Sequence, residues 1–107
     1  MGLRQRLEAI LTRSQHASPG PWRWERVLFL ASIKSESDNA EVASVDYAAA
    51  EYQAPLDAEF IATAREDLPA TTKALLRIVD ECEGPLRETH PHIARRLLDA
   101  IEEEIDL

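Results

Sequence analysis

The chain has 107 residues, of which 45% are apolar and 30% charged, which is too apolar for a disordered polymer and sized for one domain. Twenty Asp and Glu against twelve Lys and Arg give a formal charge of -8, which repels phosphate backbones and argues against direct nucleic-acid binding. One cysteine, Cys82, excludes an internal disulfide and a Cys-rich zinc site.

Residues 1–7 lack the apolar stretch of a secretory signal, and Arg6 stands where a myristoylation pattern needs Ser or Thr. The longest apolar run, residues 27–31, is far short of a membrane span. A cytoplasmic location with no membrane partner is the expectation.

Leu3, Leu7, Ile10, Leu11 and Ser14 recur at helical spacing and predict an amphipathic helix over residues 3–14. Ser18-Pro19-Gly20-Pro21 stops it, because Pro fixes φ and lacks a donor. Trp22 and Trp24 then share one face of a strand while Arg23 points away. The continuous apolar run over residues 27–33 reads as a strand covered on both faces, or a central one. Ser37-Asp38-Asn39 is a turn signal, and residues 42–47 alternate with Ala43, Val45 and Tyr47 on one face. Residues 22–47 thus predict a three-stranded antiparallel meander, which needs helices on one face for stability. Residues 48–55 read as a connector.

From Leu56 the period returns to 3.6. Leu56, Phe60, Ile61 and Ala64 form one stripe, expected to cover the sheet beside Trp22 and Trp24. Pro69 fits the first turn of a new helix, so residues 56–83 predict two helices, the second with Leu75, Ile78, Val79 and Cys82 inward. Gly84-Pro85 is a stop, and residues 90–106 form a last helix opened by Pro91. Its stripe, Ile93-Leu97-Ile101-Ile105 with Leu98, is either buried within one subunit or covers its counterpart in a two-fold homodimer. The whole reads as a single α+β domain with the helical part larger.

Two segments carry a family resemblance. Ala17-Ser18-Pro19-Gly20-Pro21-Trp22-Arg23-Trp24 follows the first helix, and Asp57-Ala58-Glu59-Phe60-Ile61-Ala62 leads through Ala64-Arg65-Glu66-Asp67-Leu68 to Pro69. Together they resemble the Ead-like family of small phage and prophage accessory proteins of actinobacteria and their phages. That family has a TPGPW turn and an N/D-A-x-F-I-A helix. Ser18 stands here for the usual Thr and Asp57 for the common Asn. The resemblance covers about residues 3–82 and implies a phage or mobile-element origin; it supplies no catalytic residue. Ten Arg against two Lys fit a GC-rich genome.

No catalytic constellation is visible. His90 and His92, two apart, do not share a helical face, and no Cys lies beside them, so they read as exposed residues at a helix start. Cys82 lies on an apolar stripe and reads as a small hydrophobe. With three glycines, Gly2, Gly20 and Gly84, the chain has no phosphate loop. The expectation is a protein that is not an enzyme and holds no metal or cofactor.

Two functions remain. The first is a phage-derived accessory protein that binds a host protein with a basic surface. Residues 99–107 hold five acids and no base, and Asp99, Glu102, Glu103, Glu104 and Asp106 are the expected contact. The last helix carries this charge at the negative end of its dipole, so that end is expected to fray unless a basic group meets it. The second is a module sequestering a nucleotide or metabolite, with Trp22, Trp24, Tyr47 and Tyr52 stacking a base and Arg23 or Arg26 meeting a phosphate.

Overall fold

In a computed structural model that describes residues 2–47 and 51–105, the chain runs as α1 (Leu3–His16), β1 (Trp22–Val27), β2 (Leu30–Ser35), β3 (Glu41–Asp46), α2 (Gln53–Glu83), α3 (Pro85–Thr89) and α4 (Pro91–Ile105). Helix makes up 64% and strand 18% of the described residues, so the class is α+β with the helical part larger. The chain divides into two compact units, Arg13–Pro69 and Met1–Thr12 with Ala70–Leu107. No helix among the described residues is long and apolar enough to cross a membrane.

Within Arg13–Pro69, the strands form an antiparallel sheet in the order β1-β2-β3. Trp22 pairs with Ser35, Trp24 with Ile33 and Arg26 with Ala31, so all six side chains share one face. Ala31 continues to Val45 and Ile33 to Ala43. The next pair is Lys34 with Glu41, which leaves Val42 as the extra residue of a bulge. That bulge explains why Val42 and Ala43, although adjacent, both pack on the core.

The apolar run over residues 27–33 is not one strand. It contains the whole β1–β2 turn, with Leu28 and Phe29 as the two loop residues and Leu28 at a left-handed φ of 57°. Such loops usually carry Asn or Gly, so the sequence gives no turn signal here. The β2–β3 turn does follow its residues. Asn39 takes a left-handed φ of 58°, and Asp38 Oδ1 accepts the Ala40 N–H at 3.0 Å.

The helix over this sheet also departs from the expectation. Ala54, Ala58 and Ala62, one turn apart, are the side chains of α2 buried against the sheet, packed with Ala31, Ile33 and Tyr47. Ile61 packs beside them, but Leu56 and Phe60 are 63% and 75% exposed. Leu56 lies two residues from Ala54 and Ala58, about 200° around the helix, and so faces away. The cause is volume. Trp22, Trp24 and Tyr47 fill the space over the sheet, and an alanine row lets the helix backbone approach.

Residues 56–83 hold one helix, not two. α2 runs unbroken through Pro69, whose missing N–H leaves the Arg65 carbonyl without its helical donor. The division between the two compact units falls at the same place.

In the second unit, Leu3 and Leu7 of α1, Val79 of α2 and the partly buried Leu75, Leu76, Leu98, Ile101 and Ile105 form the core. The α4 stripe is split: Ala94, Leu98, Ile101 and Ile105 turn inward, and Ile93 and Leu97 stay exposed. Pro91 opens α4, and the His90 carbonyl accepts the Ala94 N–H at 3.0 Å.

Candidate functional site

The turn before β1 is held by its own carbonyls. Ser18 O accepts the Trp22 indole N–H at 3.0 Å and the Arg65 Nε–H at 2.9 Å. Pro19 O accepts the hydroxyl of buried Ser35 at 2.6 Å, and Pro21 O accepts the Glu36 N–H at 3.0 Å. The Gly20–Pro21 peptide is cis. Gly20 passes so close to α2 that a Cβ there would meet the Glu66 carboxylate and stand 3.0 Å from Arg65 Cγ. The segment Ser18-Pro19-Gly20-Pro21-Trp22 is thus a tie between sheet and helix, which gives its composition a folding reason.

Trp24 is engaged as well. Its indole N–H donates to Glu59 Oε2 at 2.8 Å. Tyr47 is buried, with the Arg26 guanidinium 4.1 Å from its ring centroid and that guanidinium 4.0 Å from Glu51. Arg26, Phe29, Tyr47 and Glu51 line an open cavity of about 340 Å3. Arg23 lies on the opposite face of the sheet, where it meets Asn39 and, at 3.6 Å, Glu25. The structure therefore brings Trp22, Trp24 and Tyr47 to one face and places Arg23 on the other. Tyr52, in the turn before α2, is 90% exposed.

On the outer sheet face Lys34 donates to Glu25 at 2.8 Å, and this hydrogen bond holds the Glu25 carboxyl below its ordinary pKa.

Of the acidic C-terminal residues, Asp99 accepts both Nε and Nη2 of Arg95 at 2.9 and 2.6 Å, and Glu102 reaches the same guanidinium at 3.5 Å. The bond to Asp99, with Glu102 beside it, raises the Arg95 pKa. Glu103 and Glu104 are exposed, with no ion pair among the described residues. Asp106 lies outside the described residues. A basic group does meet the end of α4, and it comes from α1: Arg6 donates to the Ile105 carbonyl at 2.8 Å. Arg4 bonds Asp80 at 2.6 Å and Glu83 at 2.8 Å, which raises its pKa.

Cys82 is buried beside a cavity of about 250 Å3 shared with Arg87, Ala94, Arg95 and Leu98. His90 and His92 are exposed, and among the described residues no three His, Cys, Asp or Glu side chains group as metal ligands.

Two contributors had no sequence signal: the Glu59 partner of Trp24 and the Arg26–Tyr47 stack. The alanine row did have one, a small residue every fourth position from 54 to 62, parallel to the larger stripe. No family model matches the chain, no curated protein matches it, and no solved structure matches its fold.

Proposed function

We propose that the chain is a non-enzymatic accessory protein that binds a host protein and modulates its activity. The resemblance of its Ser18-Pro19-Gly20-Pro21-Trp22 and Asp57-Ala58-Glu59-Phe60-Ile61-Ala62 segments to phage and prophage accessory proteins adds a phage origin and action in the host cytoplasm. One observation carries the reading: which side chains are engaged and which are displayed. The indoles that would stack a small ligand bond Ser18 and Glu59, and the Tyr47 ring lies under Arg26. Large apolar side chains instead stand in solvent, among them Leu28 at 82% and Phe29 at 72%. Displayed apolar surface of this kind is how a protein meets another protein.

Exposed Glu103 and Glu104 add an acidic surface that suits a basic partner. Self-association through α4 would use Ile93 and Leu97, the exposed part of its stripe, and sedimentation of Leu97→Glu against wild type tests it. A pull-down from host lysate at low and moderate salt, with wild type and a Glu103→Gln/Glu104→Gln variant, tests the main reading. Recovery of one partner with wild type supports it, and recovery of none at either salt refutes it.

A second reading, sequestration of a nucleotide or metabolite, has one observation in its favour. The cavity of about 340 Å3 at Arg26, Phe29, Tyr47 and Glu51 falls in the size range of small-ligand sites. A thermal-shift screen with nucleotides tests it, because excess ligand raises the midpoint.

A further inference from the structure

The unit Arg13–Pro69 shows apolar side chains in two places at one end. The β1–β2 turn projects Leu28 and Phe29. Leu56 and Phe60, one turn apart, form a row on the side of α2 away from the sheet, and Tyr52 is exposed in the turn just before that helix. Phe29 and Glu51 line the same cavity, so the turn and the start of α2 are neighbours. Two rings of about 200 Å2 each, Tyr52 and Phe60, bring the row with Tyr52 near the few hundred Å2 that mark interaction sites on soluble proteins.

Neither place has a folding reason to be apolar. Leu56 and Phe60 bury nothing that the alanine row does not already cover. Leu28 holds a left-handed φ that suits Asn or Gly, and its side chain is in solvent. An outlier that packing does not explain points to display.

The charges around the row say what covers it. Residues 51–67 hold Glu51, Asp57, Glu59, Glu66 and Asp67 against Arg65 alone. Glu51 lies 4.0 Å from Arg26, Glu59 bonds Trp24, and Arg65 and Glu66 are turned to the segment before β1, which leaves Asp57 and Asp67 with no ion pair among the described residues. A second copy would set these acids against their own kind, and an anionic lipid surface would repel them. Resting on the protein-binding reading above, we infer that Leu28, Phe29, Tyr52, Leu56 and Phe60 form the docking surface for a basic amphipathic helix of another protein. Its apolar stripe packs along the row, and its Lys and Arg flank the stripe opposite the acids.

The probe is a fluorescent, synthetic Leu/Lys amphipathic helix titrated against the full chain, with a Leu/Glu counterpart as control. Wild type binds the Leu/Lys peptide and not the Leu/Glu peptide. Leu56→Gln/Phe60→Gln, with its circular dichroism unchanged, weakens binding about tenfold or more. Leu28→Asn, which suits the turn better, weakens binding while raising the thermal midpoint, a pair of changes that unfolding does not produce. A Glu81→Gln/Glu88→Gln variant, which removes two exposed acids of α2 and α3 outside residues 51–67, stays within about twofold of wild type.

Equal binding of the Leu/Glu peptide, an unchanged affinity in the Leu56/Phe60 variant, or a loss in the Glu81/Glu88 variant as large as that of the Leu56/Phe60 variant would overturn the inference. So would a dimer of wild type that Leu56→Gln/Phe60→Gln dissociates. A lysate partner still captured by the Leu56/Phe60 variant overturns this surface and leaves protein binding standing. Peptide binding at the row supports the surface, and the absence of any lysate partner then counts against the broader reading alone.

Discussion

The indole N–H of Trp24 donates to Glu59 Oε2 at 2.8 Å, which pins the middle helix-facing residue of β1 to an exposed side chain of α2. The bond sits where water competes, so its worth is modest. Glu59→Ala is expected to lower stability to urea by about 1 kcal/mol and to shift the tryptophan emission. Glu59→Gln keeps a carbonyl acceptor and recovers most of that. A loss above about 3 kcal/mol would mean that Glu59 does more than accept this bond.

Glu25 and Lys34 make a diagonal pair across β1 and β2 on the outer face. The folded Glu25 carboxyl lies below its ordinary value of 4.5. The unfolded chain therefore binds the proton more readily, and the pair's contribution is complete above about that pH. It is lost as pH falls through the lower, folded value. Lys34→Met should be less stable than wild type at neutral pH, with the gap closing in acid. A gap that stays constant over the titration would contradict the pairing.

Pro69 lies inside α2, where it denies the Arg65 carbonyl a donor. Pro69→Ala restores the N–H and is expected to stabilise the chain by about 1–3 kcal/mol, with a stronger helical signal in circular dichroism. Destabilisation would show that the proline ring is needed for packing.

Leu28 takes a left-handed φ of 57° in a two-residue turn. Leu28→Asn is expected to stabilise the hairpin by about 0.5–1 kcal/mol, read as a higher urea midpoint. No change would mean that the leucine loses nothing in that conformation.

These residues also show where the sequence was legible. Strong local chemistry spoke clearly: Trp22-Arg23-Trp24 set the strand faces, Asp38-Asn39 set a turn, and Gly84-Pro85 and Pro91 set the C-terminal helix boundaries. Where local and tertiary preferences disagree, the sequence misleads. Leu28-Phe29 has strand propensity and forms a turn, because the register that puts Trp24 opposite Ile33 leaves the reversal no other place. Pro69 signals a helix start, yet α2 continues past it. Residues 54–62 carry two helical stripes, one small and one large, and size favours the wrong one. The choice depends on the volume of Trp22, Trp24 and Tyr47, which are distant in sequence. Of the candidate site residues, the positions of Trp22, Trp24 and Arg23 followed from alternation. The Arg6 bond to Ile105 and the Arg26 stack on Tyr47 needed the fold.

The central claim is that the alanine row of α2 packs on the sheet and Phe60 does not. Urea denaturation of Phe60→Ala tests it directly. An exposed Phe60 gives a change within about 0.5 kcal/mol of wild type. A loss of about 3–5 kcal/mol, the cost of removing a core phenylalanine, would place Phe60 against the sheet and contradict both the helix orientation and the docking surface built on it.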